Sequence, residues 1–187
     1  MSNHRANLLA TAWGIAEATV FFIVPDVLLS WLALRNRRLA LVACLFALLG
    51  ALIGGTAVWI IGQDNPEPVR NLFAALPAID TAMIASVRSQ LEQNGLAALF
   101  VGPLIGTPYK IYALEAANLG LGFIGFLLVS IPARLIRFGV VTLIVATLST
   151  LLGPRLSLRQ RQYLLVSCWA VFYAWYFHVI GNTPTPA

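Results

Sequence analysis

An all-α polytopic membrane protein is what this sequence predicts, and three observations predict it. Of its 187 residues, 59% are hydrophobic and 10% carry charge, with a mean hydropathy of +0.83. A chain so composed cannot cover itself with a charged, water-facing surface. The apolar residues fall in long runs separated by short basic or proline-containing stretches, the pattern of spans and loops. Two of the runs also contain helix breakers and ionisable side chains, which in lipid demands a helix that stops at depth and turns back. The predicted architecture is two re-entrant, broken-helix hairpins in a pseudo-inverted repeat, about three full transmembrane helices and one amphipathic surface helix. All belong to a single membrane domain over residues 1–187.

Segment 6–34 is the first predicted hairpin, apolar except for Glu17 and Asp26 and split by Pro25. The lone basic residue before it, Arg5, suits a signal peptide. Glu17, Asp26 and the lack of a small-residue cleavage site predict that the segment is retained. After the basic cluster Arg35-Asn36-Arg37-Arg38, segment 39–62 is long enough at ~1.5 Å per residue to cross a ~30 Å core. Its Gly50, Gly54 and Gly55 offer a small-residue face for close helix contact. Residues 63–78, punctuated by Pro66, Pro68 and Pro77, read as a loop. Asp80 can cap an amphipathic helix over 80–94, with Met83, Ile84, Val87 and Leu91 on one face and Gly95 as its stop.

Segment 96–117 is the second predicted hairpin. Gly102, Pro103, Gly106 and Pro108 break its helix, and Lys110 and Glu115 follow. An ordinary surface loop with Lys110 snorkelling to the headgroups is the alternative reading. Segment 119–153 is a long or kinked span carrying Pro132, Arg134 and Arg137, the two arginines on one face because they are three apart. A second basic loop (Arg155, Arg159, Arg161) precedes the last span, 163–180, whose Trp169, Tyr173, Trp175, Tyr176 and Phe177 suggest an interfacial aromatic anchor.

Charge distribution selects a topology. If every run crossed fully, the basic loops 35–38 and 154–161 would lie on opposite sides of the membrane. If 96–117 enters and leaves on one face, both are cytoplasmic, while 63–95 and the uncharged C-terminal tail lie outside. Whether 6–34 is re-entrant or spanning is left open by Arg5 and Pro25 alone. The net charge of +5 is therefore an orientation signal, not a nucleic-acid patch; all 12 basic residues except Lys110 are arginines. Cys44 and Cys168, each inside an apolar run, imply neither a disulfide nor a metal site. No metal spacing, phosphate-binding loop or Ser-His-Asp set suggests an enzyme or a cofactor.

Three stretches carry a resemblance: Ala16–Leu29 (A-E-A-T-V-F-F-I-V-P-D-V-L-L), the Gly-rich Gly50–Gly62, and Phe100–Lys110 (F-V-G-P-L-I-G-T-P-Y-K) with Ala133–Phe138 (A-R-L-I-R-F). In their order and spacing over about residues 14–150, the chain resembles the DedA family, also called the VTT or SNARE-associated Golgi protein family. The match is closest to its small YqaA-like branch. The resemblance implies a multi-pass protein of the bacterial inner membrane that moves lipids such as undecaprenyl phosphate or phospholipids between leaflets, in some members with protons. Where many members carry a G-R-F arginine, this chain has Gly102-Pro103-Leu104, and Lys110 of its P-Y-K stands as the basic residue.

A phosphate-bearing lipid must carry negative charge through hydrocarbon, so its transporter needs cations at depth. Lys110, Arg134 and Arg137 are the candidates for phosphate binding, arginine as a bidentate fork and lysine as a point charge. Glu17 and Asp26 are the candidates for proton coupling, with Glu115 a secondary candidate. Pro25, Gly106 and Pro108 break the helices at the hairpin tips. Competing roles stay open: the same hairpins carry a small ion or solute instead of a lipid, or the cations pair with Glu17, Asp26 or Glu115 and only staple the hairpins of a non-transporting assembly protein, and Asp26 is a helix cap after Pro25. The expected partners are a lipid headgroup and protons, with homo-oligomerisation left open.

Overall fold

A computed structural model describes residues 2–181, and the C-terminal tail expected outside the membrane, 181–187, lies beyond the described residues except for Gly181. Those residues form helices joined by turns, with no strand among them. In order they are α1 (Asn3–Thr19), α2 (Asp26–Ala33), α3 (Arg37–Asp64), α4 (Pro66–Ala74), α5 (Thr81–Asn94), α6 (Ala97–Val101), a 3₁₀ turn (Gly102–Leu104), α7 (Tyr109–Asn118), α8 (Phe123–Leu152) and α9 (Leu158–Gly181). Two of the described helices, α3 and α8, are long and apolar enough to cross a membrane. At 28 and 30 residues they measure ~42 and ~45 Å. Pro132 sits inside α8 without ending it.

Small residues set the relation between α1 and α3. A Cβ on Gly14 would lie 2.3 Å from the Ala47 carbonyl oxygen, and one on Gly50 would lie 2.1 Å from that of Thr11. Gly54 meets Ile15 and Ala18, so partners advance together along both helices, which therefore run parallel in backbone contact. Because α1 and α3 point the same way, the chain between Thr19 and Arg37 must double back. The non-helical stretch 20–25 and the short α2 do this.

The second broken segment has the opposite sense. Helix α8 is antiparallel to α3, with Trp59 against Phe123 at one end, Cys44 Sγ 3.2 Å from Thr142 Oγ1 midway, and Ser149 Oγ donating to the Leu34 carbonyl at the other. Helix α6 runs along α8, from Leu96 beside Gly125 to the Pro103 carbonyl beside Arg137. Helix α7 then returns parallel to α3, its Tyr109 filling the space beside Gly55 and its Leu114 that beside Gly62. The first broken pair thus starts and finishes at the N-terminal end of α3, the second at its C-terminal end. The two basic loops share the N-terminal end, where Ser149 also binds Arg161.

Element boundaries follow local signals. The Asn36 side chain accepts from the Leu39 amide and starts α3 two residues earlier than the apolar run predicts. Asp80 accepts from the Met83 amide at 2.6 Å, and Gly95, at φ +56°, closes α5, as the sequence predicts. The expected loop 63–78 is instead largely helical. Prolines at the first turn lack only an N–H that would be unpaired there, so Pro66 and Pro68 begin α4. Helix α4 descends antiparallel to α7, from Arg70 beside Glu115 to Phe73 over Lys110, and α5 climbs back with Ile84, Val87 and Leu91 buried. Pro25 and Pro108 likewise stand at the starts of α2 and α7; the break in the second segment lies before Pro108, at Gly106 with φ +106°.

Candidate functional site

The two broken segments meet tip to tip, and side chains from α1, α7, α8 and α9 satisfy their open backbone groups. Lys110, at the start of α7, donates to the Phe21 carbonyl at 2.7 Å, and Arg137 Nη1 donates to the Pro103 carbonyl at 2.8 Å. Trp13 Nε1 donates to the Ile23 carbonyl at 2.9 Å, and the Val24 amide donates to the Tyr173 hydroxyl at 3.0 Å. Away from water, unpaired backbone groups are costly, and these bonds pair the Phe21, Ile23 and Pro103 carbonyls and the Val24 amide at the breaks.

Around the tips sit the charged residues singled out from the sequence. Arg134 is fully buried and binds Glu17 through Nη2, and Arg137 Nε donates to Asp26 Oδ2 at 3.1 Å. One turn of α8 separates the arginines, so both face the first segment, as their spacing predicts. The Arg134 guanidinium lies 4.6 Å from the Tyr109 ring centroid and 5.0 Å from that of Phe138, which extends its support by cation–π contact. Arg134 Nε and Nη1 and Asp26 Oδ1 are buried without a hydrogen-bond partner among the described residues. Asp26 is the first residue of α2 and makes no side-chain cap; its carboxylate is turned to Arg137.

A cavity of about 570 Å³ opens beside this cluster. Glu17, Asp26, Lys110 and Arg137 line it with Gly106 and Pro108. Arg134 stands behind Glu17, away from the wall. Facing the charges, α9 contributes Trp169, Phe172, Tyr173 and Tyr176, and Trp169 Nε1 is bonded to Ser30 Oγ at 3.0 Å. The cavity is thus charged on one side and aromatic on the other. Three cations meet two carboxylates there, leaving one formal positive charge, with Lys110 bonded to a neutral carbonyl.

Glu115 is not part of this cluster. It is fully buried farther along α7, and Arg70 clasps it with Nε to Oε1 and Nη2 to Oε2, both at 2.7 Å, while Arg88 stands at 3.7 Å. Sequence reading missed Tyr109, Phe138, Trp13 and Tyr173 as supports of the site. Phe138 could have been found, one turn beyond Arg134 on the same face; Trp13 acts ten positions away across the break, and Tyr109 and Tyr173 act across longer separations. Among the described residues no three His, Cys, Asp or Glu converge as metal ligands would.

No family model matches the chain, and no solved structure matches it. A protein of Haemophilus influenzae described as uncharacterized is 28% identical over 174 residues, which span 91% of this chain and 86% of the relative. The similarity therefore runs through nearly the whole chain and is not confined to one motif.

Proposed function

We propose that this protein is a membrane lipid transporter of the DedA type, a flippase or scramblase that moves a phosphate-bearing lipid between leaflets of a bacterial inner membrane. In this reading α3 and α8 cross the bilayer, and the broken pairs α1/α2 and α6/α7 enter from opposite faces as re-entrant hairpins. The basic loops 35–38 and 154–161 face the cytoplasm. The antiparallel relation of the two halves supports an inverted repeat whose site lies at the join.

The observation that carries the proposal is the unbalanced charge in an amphiphilic cavity. A site with one positive charge beyond its internal pairs attracts an anion, while an aromatic and aliphatic wall suits an apolar chain. Lys110 and Arg137 reach the cavity and would hold the phosphate; Arg134 would act through Glu17. Glu17 and Asp26, each paired with an arginine, would take up a proton as their partner turns to substrate, which couples transport to protons.

A second reading draws on a specific observation: both arginines are already bonded to carboxylates. On that reading the pairs only staple the hairpins, and the protein has an assembly role. Translocation of a labelled phospholipid and a labelled polyprenyl phosphate in proteoliposomes separates the two. Transport predicts that Glu17→Gln and Arg134→Ala slow translocation at least ~10-fold relative to wild type, about 1.4 kcal/mol in the barrier. Equal rates in folded, reconstituted variants would remove the transport reading.

A further inference from the structure

Outside the charged cluster, with its two ion pairs, the molecule holds a further ion pair on a fully buried carboxylate. Arg70 on α4 grips Glu115 of α7 through two parallel 2.7 Å bonds, and Glu67 holds Arg70 from the same helix. Arg88 on α5 approaches Glu115 Oε2 at 3.7 Å and is itself paired with Glu92. One fully buried carboxylate thus ties both arms of the α4/α5 pair to α7. Its charge raises the Arg70 guanidinium further above its ordinary range, through the hydrogen bonds first, so the arginine stays cationic at any ordinary pH.

What that pair carries is a wall of the cavity. The turn joining α4 to α5 places Pro77, Ala78 and Ile79 against the cavity, and Ala78 is the one non-glycine among the described residues with positive φ, +67°. A left-handed alanine stores strain that the surroundings must hold in place. Phe73, buried at the foot of α4, lies 6.0 Å from the Lys110 ammonium and covers it from this side. Glu67, Asn71, Ser86, Ser89 and Gln93 are exposed on the pair together with Leu72, an outer face polar enough to let the pair separate from the body into water.

We infer that α4, the turn at residues 75–80 and α5 form a lid closing the cavity at the end where α3 finishes, with Arg70–Glu115 as its latch and Phe73 as its plug over Lys110. The described conformation is the latched one. The inference builds on the transport reading only in requiring that the cavity open, and its test measures distance and exchange instead of transport, so the two ideas fail separately.

The test uses full-length protein in nanodiscs, with Cys44→Ala and Cys168→Ser, and spin labels on Asn71→Cys of α4 and Ile124→Cys of α8. Wild type is expected to give one narrow distance. Arg70→Met and Glu115→Gln should each broaden it and lengthen it by about 5 Å or more, the scale of a one-turn displacement. Arg70→Lys, which keeps the charge, should stay close to wild type. Hydrogen exchange on the unlabelled wild type adds a readout that no variant can spoil by misfolding: amides of 66–80 should exchange as a unit, ~10-fold or more faster than those of α3 and α7. Unchanged distances in helical, monodisperse Arg70→Met and Glu115→Gln would overturn the lid. So would protection of 66–80 equal to that of α7.

Discussion

Replacing Glu17 by glutamine removes one charge and almost no volume, and it asks how much of the fold rests on the pairing of the two halves. In the wild type, the fully buried Arg134 has, among the described residues, a single ionic partner, Glu17, itself 4% exposed. Removing one member of a buried pair typically costs 3–5 kcal/mol, because the other charge stays behind undischarged. Here Tyr109 and Phe138 flank the guanidinium at 4.6 and 5.0 Å and continue to hold part of that charge, each by up to ~2 kcal/mol when desolvated. The expected loss is therefore at the lower end, ~3 kcal/mol, or about two decades in the unfolding equilibrium. Arg134→Met in addition should restore most of it, since neither charge then remains buried. Reversible unfolding in mixed micelles, followed by helical circular dichroism, gives all four corners of the cycle. A Glu17→Gln loss below ~1 kcal/mol, or a double variant whose losses simply add, would refute the pairing argument.

Two glycines of helix interiors should respond in opposite directions. Gly50→Ala forces a methyl group to 2.1 Å from the Thr11 carbonyl, backbone against backbone, and should destabilise the protein by ~3 kcal/mol, the upper end for overpacking. Gly139→Ala meets nothing within 4 Å and should stabilise α8 by ~0.5–1 kcal/mol; thermal unfolding of both compares them directly. Asp80→Ala removes the cap on the Met83 amide and should cost ~1 kcal/mol, visible as faster exchange of the α5 amides.

Periodicity and capping made most helices legible. Asp80 and Gly95 bound α5 as read, and the apolar runs 39–62 and 119–153 became α3 and α8. Helix α4 escaped because prolines punctuate loops and open helices alike; what distinguishes them here is Phe73, whose burial against Lys110 depends on distant sequence. The charged residues were legible as residue types out of place in lipid, and pairing among them was an open reading, but not which carboxylate meets which cation. Glu17 and Arg134 lie 117 positions apart and Asp26 and Arg137 lie 111 apart, and nothing local says that Asp26 turns to an arginine instead of capping α2. Glu115, the secondary candidate, lies five residues beyond Lys110, and that distance along a helix puts it under Arg70, away from the cluster. The aromatic run of α9 fits an interfacial belt by composition, and only tertiary placement makes Trp169 and Tyr173 a cavity wall.

The account depends on two broken segments reaching the same buried cluster from opposite membrane faces. Side-specific labelling of single cysteines in sealed vesicles, placed at Arg38, Gln160 and Asn94 in the background lacking Cys44 and Cys168, tests this most directly. The account predicts that an impermeant thiol reagent labels Arg38→Cys and Gln160→Cys from one side and Asn94→Cys from the other. Positions 38 and 160 reacting from opposite sides would contradict it.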